Sequence, residues 1–69
     1  MPTYTAVLER CPATGLTVAH VPGVPGAHSQ GADEREALAG LREVLLMLRE
    51  EGEPGPCGEF LGVRTIALP

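Results

Sequence analysis

Tryptophan and lysine are missing from this chain of 69 residues, and tyrosine and phenylalanine occur once each. A core built around aromatic rings is excluded, so aliphatic side chains must supply the buried surface. Without lysine, the positive charge rests on five arginines, spread along the chain and outnumbered by nine acidic residues, for a net charge of −4. Autonomous nucleic-acid binding depends on clustered cations that displace counterions from phosphates, and this balance argues against it. An acidic surface suits a basic protein partner instead. No stretch has the charged start and apolar centre of a signal peptide, and no apolar run reaches membrane-spanning length. No membrane association is expected, and the cytoplasm is the expected location.

Cysteine is also scarce. Cys11 and Cys57 both sit beside proline, in expected loops. Free thiols are the reading that fits a cytosolic chain, with a disulfide geometrically open. Two cysteines without histidines at ligand spacing make no convincing metal site, and no cofactor is expected. Aspartate occurs once, at Asp33, and the expected strands offer only Glu9 and Glu59. A hydrolase of the ribonuclease-H kind needs several carboxylates converging on a divalent ion. A histidine–cysteine pair drawn from His20, His28, Cys11 and Cys57 has no orienting group. The expectation is that the chain is not an enzyme and has no catalytic residues.

What is present organises one domain over residues 1–69. So short a chain buries little, and oligomerisation is the commonest source of added stability when cysteines are few. Tyr4–Glu9 alternates as a strand, with Tyr4, Ala6 and Leu8 on one face and Thr5, Val7 and Glu9 on the other. Cys11-Pro12-Ala13-Thr14-Gly15 reads as a turn. Leu16–Val21 is a second strand, antiparallel to the first. Pro22-Gly23-Val24-Pro25-Gly26 excludes both helix and central strand. Ala27–Gly31 follows as a short third strand. His20 shares parity with Leu16 and Val18, the pattern of a partly buried histidine.

Asp33 is placed to cap a helix, with Glu36 at the third helical position able to reach back to it. Glu34 and Glu36 lie where the helix dipole favours anions. The helix should run from about Glu34 to about Glu51, since Ala37, Leu38, Leu41, Val44, Leu45 and Leu48 form one apolar stripe. Leu46 and Met47 fall outside that stripe and hint at a second buried surface against another subunit. Gly40 within the helix suits a close approach by neighbouring backbone. Gly52 to Pro56 ends the helix.

Phe60–Leu68 reads as a last strand, with Leu61 and Val63 on one face and Phe60 and Ile66 on the other. Two apolar faces mark a strand that is central in a sheet or paired with another chain. The helix gives it a crossover connection, so it can lie parallel to the first strand in the order 3-2-1-4. The fold class expected is α+β: a β-β-β-α-β two-layer sandwich, one amphipathic helix on a mostly antiparallel four-stranded sheet.

Val21-Pro22, Pro25-Gly26, Gln30-Gly31 and Glu36-Ala37, spaced without a gap after a tyrosine-led strand, resemble the HicB antitoxin domain. That family's pattern runs "vPelPG…tqGdTleEAl" into its helix, and the resemblance spans Tyr4 to Glu51. Gly23 stands where an acidic residue is usual, and Ala32-Asp33 where Asp-Thr is usual; Asp33 can cap as the threonine would. The resemblance implies a truncated ribonuclease-H-like fold without nuclease activity. It also implies an antitoxin that binds and neutralises HicA, a small basic toxin that cleaves mRNA. Full antitoxins usually add a DNA-binding segment, and none is expected within residues 1–69. On this reading His28, Gln30, Glu34, Glu43 and Glu50 are the candidate partner-binding residues. His28 equally suits a solvated edge strand. Leu46, Met47, Phe60 and Ile66 are the candidate interface of a homo-oligomer. The alternative function is a stand-alone homo-oligomer of structural or regulatory role, without a toxin.

Overall fold

The structure, a computed structural model, describes residues 3–52 and 58–69. Pro54, Gly55 and Pro56 of the predicted helix stop, and Cys57, lie outside the described residues. Three antiparallel strands and one helix form: β1 (Val7–Arg10), β2 (Thr17–His20), β3 (His28–Gly31) and α1 (Glu34–Glu50), with sheet order β1-β2-β3. The α+β class is as the sequence predicts. The strands are shorter than the apolar runs that announce them, because the ladder lasts only where two strands face each other. Val7 pairs with His20 and Arg10 with Thr17; on the other side Thr17 pairs with Gly31 and His20 with His28.

The turns explain that register. Cys11 and Gly15 close the first hairpin: the Cys11 N–H donates to Leu16 O at 2.9 Å and the Gly15 N–H to Cys11 O at 2.7 Å. The second connection is two β-turns in succession. Val24 N–H donates to Val21 O, and Ala27 N–H donates to Val24 O. Each has proline at its second position and a glycine at its third, Gly23 with φ +84° and Gly26 with φ +81°. Proline fixes the first φ and glycine alone accepts the second at no steric cost, the type II pattern. The residues left between these pairs, Val21, Val24 and Ala27, are buried. The turn is therefore part of the core.

Asp33 is the N-cap, as predicted: its Oδ1 accepts from the Glu36 N–H at 2.8 Å. Gly52, with φ +79°, follows the C-cap Glu51 and donates to Arg49 O at 3.2 Å, closing the helix end. Helix α1 lies across β3 and β2. Two glycines permit that approach. A Cβ on Gly31 would lie 2.7 Å from the Ala37 backbone nitrogen, and one on Gly40 would collide with the Ser29 hydroxyl. At Gly40 the close neighbour is a side chain and not the backbone that the sequence suggests.

The core comprises Ala19, Val21, Val24, Ala27, Ala37 and Leu41, with Ala6, Leu45 and Leu48 packed partly against it. Among the described residues no large side chain is wholly buried, and Leu38 of the predicted apolar stripe is exposed.

The predicted fourth strand is the main departure. Residues 58–69 run past the sheet without joining it, exposed throughout, so the order 3-2-1-4 is realised only as β3-β2-β1. Apolar alternation marks a segment that can pair, but pairing needs an edge within reach. This segment passes Gly23, whose Cβ would meet the Gly58 carbonyl oxygen at 2.8 Å, and then stands off from β1 across an open cleft.

Candidate protein-binding surface

The register sorts the sheet residues onto two faces. Alternation puts Leu8, Thr17, Ala19, Ser29 and Gly31 toward the helix, and Val7, Glu9, Val18, His20, His28 and Gln30 on the helix-free face. His28 is exposed and pairs across the ladder with His20, which is half-buried as its parity suggests. Gln30 is exposed on the same face, two residues along edge strand β3.

The acidic candidates sit elsewhere. Glu43 and Glu50 are one heptad apart, so at about 100° per residue they share a line along the helix. Ala37 and Leu41, the buried helix residues, lie on the opposite side, which turns this line to solvent. Glu36 shares their heptad phase, but its Cβ and Cγ lie where a Cβ on Gly31 of β3 would meet them, so it sits at the margin where the helix approaches the sheet and not on the outer face. Glu34 does not belong to it: it lies about half a turn away, in a notch at the end of the sheet with Leu8, Arg10 and Thr17. The five partner-binding candidates are thus split among the helix-free face, the outer helix face and the notch. They do not form one site.

A second line of charge runs beside the first. Arg35, Arg42 and Arg49 precede Glu36, Glu43 and Glu50 by one residue each, so a basic line lies about 100° around the helix from the acidic one. Leu46 projects between the two lines and Met47 lies just beyond the acidic one; they are 42% and 56% exposed. Phe60 is 42% and Ile66 81% exposed, away from Leu46 and Met47 in the tail. The outer face of α1 is a mixed strip, apolar at its centre with opposite charges on its flanks. That arrangement can hold a partner in one register by charge while its apolar centre loses water.

Among the described residues, no group of three or more His, Cys, Asp or Glu side chains is gathered where it could hold a metal ion. Cys11 is half-buried in the first turn. Hydrogen bonding from the Thr14 side chain, followed by the backbone at Thr14 and Ala13, lowers its thiol pKa below the ordinary value. No described helix is long and apolar enough to cross a membrane.

A UPF0150 protein of Thermotoga maritima is 38% identical to this chain over 66 residues, covering 94% of the chain and 88% of the relative. The chain belongs to the UPF0150 family. No protein-family model matches the sequence, and no solved structure does. The aligned length embraces nearly the whole UPF0150 chain, so the likeness takes in both the sheet–helix body and most of the tail. The relative's name states no activity, and the surfaces themselves must carry the functional argument.

Proposed function

We propose that this UPF0150 chain is a protein-binding module of the HicB antitoxin type, acting in the cytoplasm to bind and neutralise a basic, HicA-type mRNA-cleaving toxin. The observation that carries the reading is the exposed strip on α1, with Glu43 and Glu50 beside Leu46 and Met47. The motif residues Val21-Pro22, Pro25-Gly26, Gln30-Gly31 and Glu36-Ala37 support it through their resemblance to HicB domains. Binding occludes the toxin, and no catalysis by this chain is involved. Attraction between an acidic line and a basic toxin mainly speeds encounter, while Leu46 and Met47 supply the buried contact.

The experiment is co-expression with the product of the adjacent small open reading frame, followed by co-purification and a toxicity assay. A tight complex, with the neighbour toxic alone and harmless together, is expected. Glu43→Arg/Glu50→Arg should weaken that complex by at least tenfold and flatten its salt dependence. Binding that ignores both salt and these substitutions would remove the helix strip from the reading. A second reading, a homo-oligomer of structural or regulatory role with no toxin, is favoured by the apolar tail: Leu61, Val63, Ile66 and Leu68 are each more than three-quarters exposed. A neighbour that neither binds nor is rescued would leave this second reading standing.

A further inference from the structure

The apolar tail, the free edge of β1 and an uncovered groove beside the helix are three incomplete features on one side of the molecule. Among the described residues, the sheet order leaves one edge of β1 unpaired. Helix α1 rests on β3 and β2, so a groove of about 200 Å³, lined by Tyr4, Ala6, Val21, Leu38, Leu41 and Leu45 among others, stays open on the β1 side. Tyr4 and Leu38 are 41% and 37% exposed there. One more strand beside β1 would satisfy the edge and roof the groove together.

The segment suited to that place is already in the chain. Glu59–Leu68 belongs to no strand or helix of its own and is rich in residues that favour a pleated surface. At about 3.3 Å per residue it spans more than the four-residue length of β1. After Glu59 its odd positions, Leu61, Val63, Thr65 and Ala67, are uncharged and fit the groove; its even positions, Phe60, Ile66 and Leu68 among them, are apolar except for Arg64, which fits the helix-free face where Glu9 projects. Yet the chain's own tail does not occupy the place. Phe60–Val63 face Val7, Glu9 and His20 of the helix-free face across an open cleft. The tail therefore hangs over that face and does not pair along the edge of β1.

We infer that two copies of this chain exchange their C-terminal segments, each laying residues 59–68 along the free edge of the other's β1 and over its Tyr4–Leu38–Leu45 groove. The exchange is reciprocal, so the interface is closed and two-fold symmetric, and no unpaired β1 edge is left to recruit further copies. Gly58, fixed against Gly23, is the point from which each tail departs its own body. The order β3-β2-β1-β4 is then completed by the partner's strand. This inference does not rest on the toxin reading: it uses the β1 side of the molecule, and only Arg42, which lines the groove, also belongs to the flank of the outer helix strip.

The test uses the full chain under reducing conditions. Light scattering after size exclusion should give twice the 7.2 kDa chain mass. Isotope-filtered NOE spectra on mixed labelled and unlabelled copies should show contacts between chains, from the methyls of Leu61, Val63 or Ile66 to Val7 or Leu8. Val63→Pro, which breaks a strand ladder without adding charge, should yield monomers that keep the helical circular-dichroism signal. Leu46→Asp should leave the dimer intact. A monomeric wild type, or tail contacts found only within one chain, would overturn the exchange. So would a dimer that survives Val63→Pro and is lost in Leu46→Asp. The NOE measurement is made on unaltered protein, so misfolding of a variant cannot mask the outcome.

Discussion

Gly31 and Gly40 are both contact glycines, but they differ in what they touch, and that difference sets the sign of substitution. A Cβ at Gly31 meets Ala37 backbone at 2.7 Å, and backbone in the first turn of a capped helix cannot step aside. Gly31→Ala should lower stability by about 1–3 kcal/mol, the ordinary cost of forcing atoms into a packed site. At Gly40 the obstacle is the Ser29 hydroxyl, which can rotate away, and alanine gains about 1 kcal/mol over glycine within a helix. Gly40→Ala should therefore be near neutral, and Ser29→Ala/Gly40→Ala more stable than either single variant; urea melts of the four proteins check this coupling. Cys11 offers a chemical readout at the same scale. The Thr14 hydroxyl favours the thiolate, so Cys11 should react with iodoacetamide at a lower pH than an unstructured thiol. In a Cys57→Ser background, Thr14→Val should move that profile upward, and an unmoved profile would acquit Thr14.

Among the elements, α1 was the most legible in the sequence, because its signals are local. The cap, the acidic first turn, the stripe and the terminal glycine all lie within the segment they define. Asp33→Ala removes the acceptor that Glu36 N–H uses and should cost about 1 kcal/mol, with loss of helical signal confined to the first turn in hydrogen exchange. The Pro-Gly-Val-Pro-Gly stretch was readable as a turn, but not as two turns that bury Val21, Val24 and Ala27, since burial depends on where the helix comes to rest. The strands were legible in order and in facing: the predicted split of Ala6 and Leu8 from Val7 and Glu9 matches the register. The last strand was not, because alternation reports the capacity to pair and carries no information about which edge is within reach. The candidate partner residues are spread over three surfaces for a similar reason. Glu34 and Glu43 look like neighbours in composition, but nine residues of helix separate them by half a turn.

For the whole molecule, the decisive quantity is how little one copy buries. The core is three alanines, two valines and one leucine, while Leu61, Val63, Ile66 and Leu68 remain in water at 76–86% exposure. Each of those four would contribute about 1.5–3 kcal/mol if fully buried, a large sum against the marginal stability of so small a domain. Stability should then belong to the pair and not to the single chain. Mass action makes this measurable: a dimer whose folding is linked to association melts at a higher temperature as it is concentrated. For a domain of this size, a tenfold rise in protein concentration should raise Tm by roughly 3–6 °C. Val63→Pro should melt lower and at one temperature whatever the concentration. A wild-type Tm independent of concentration across a hundredfold range would mean that the small core suffices alone. The exposed tail would then contribute nothing to folding, and its apolar residues would have to be accounted for by a different partner.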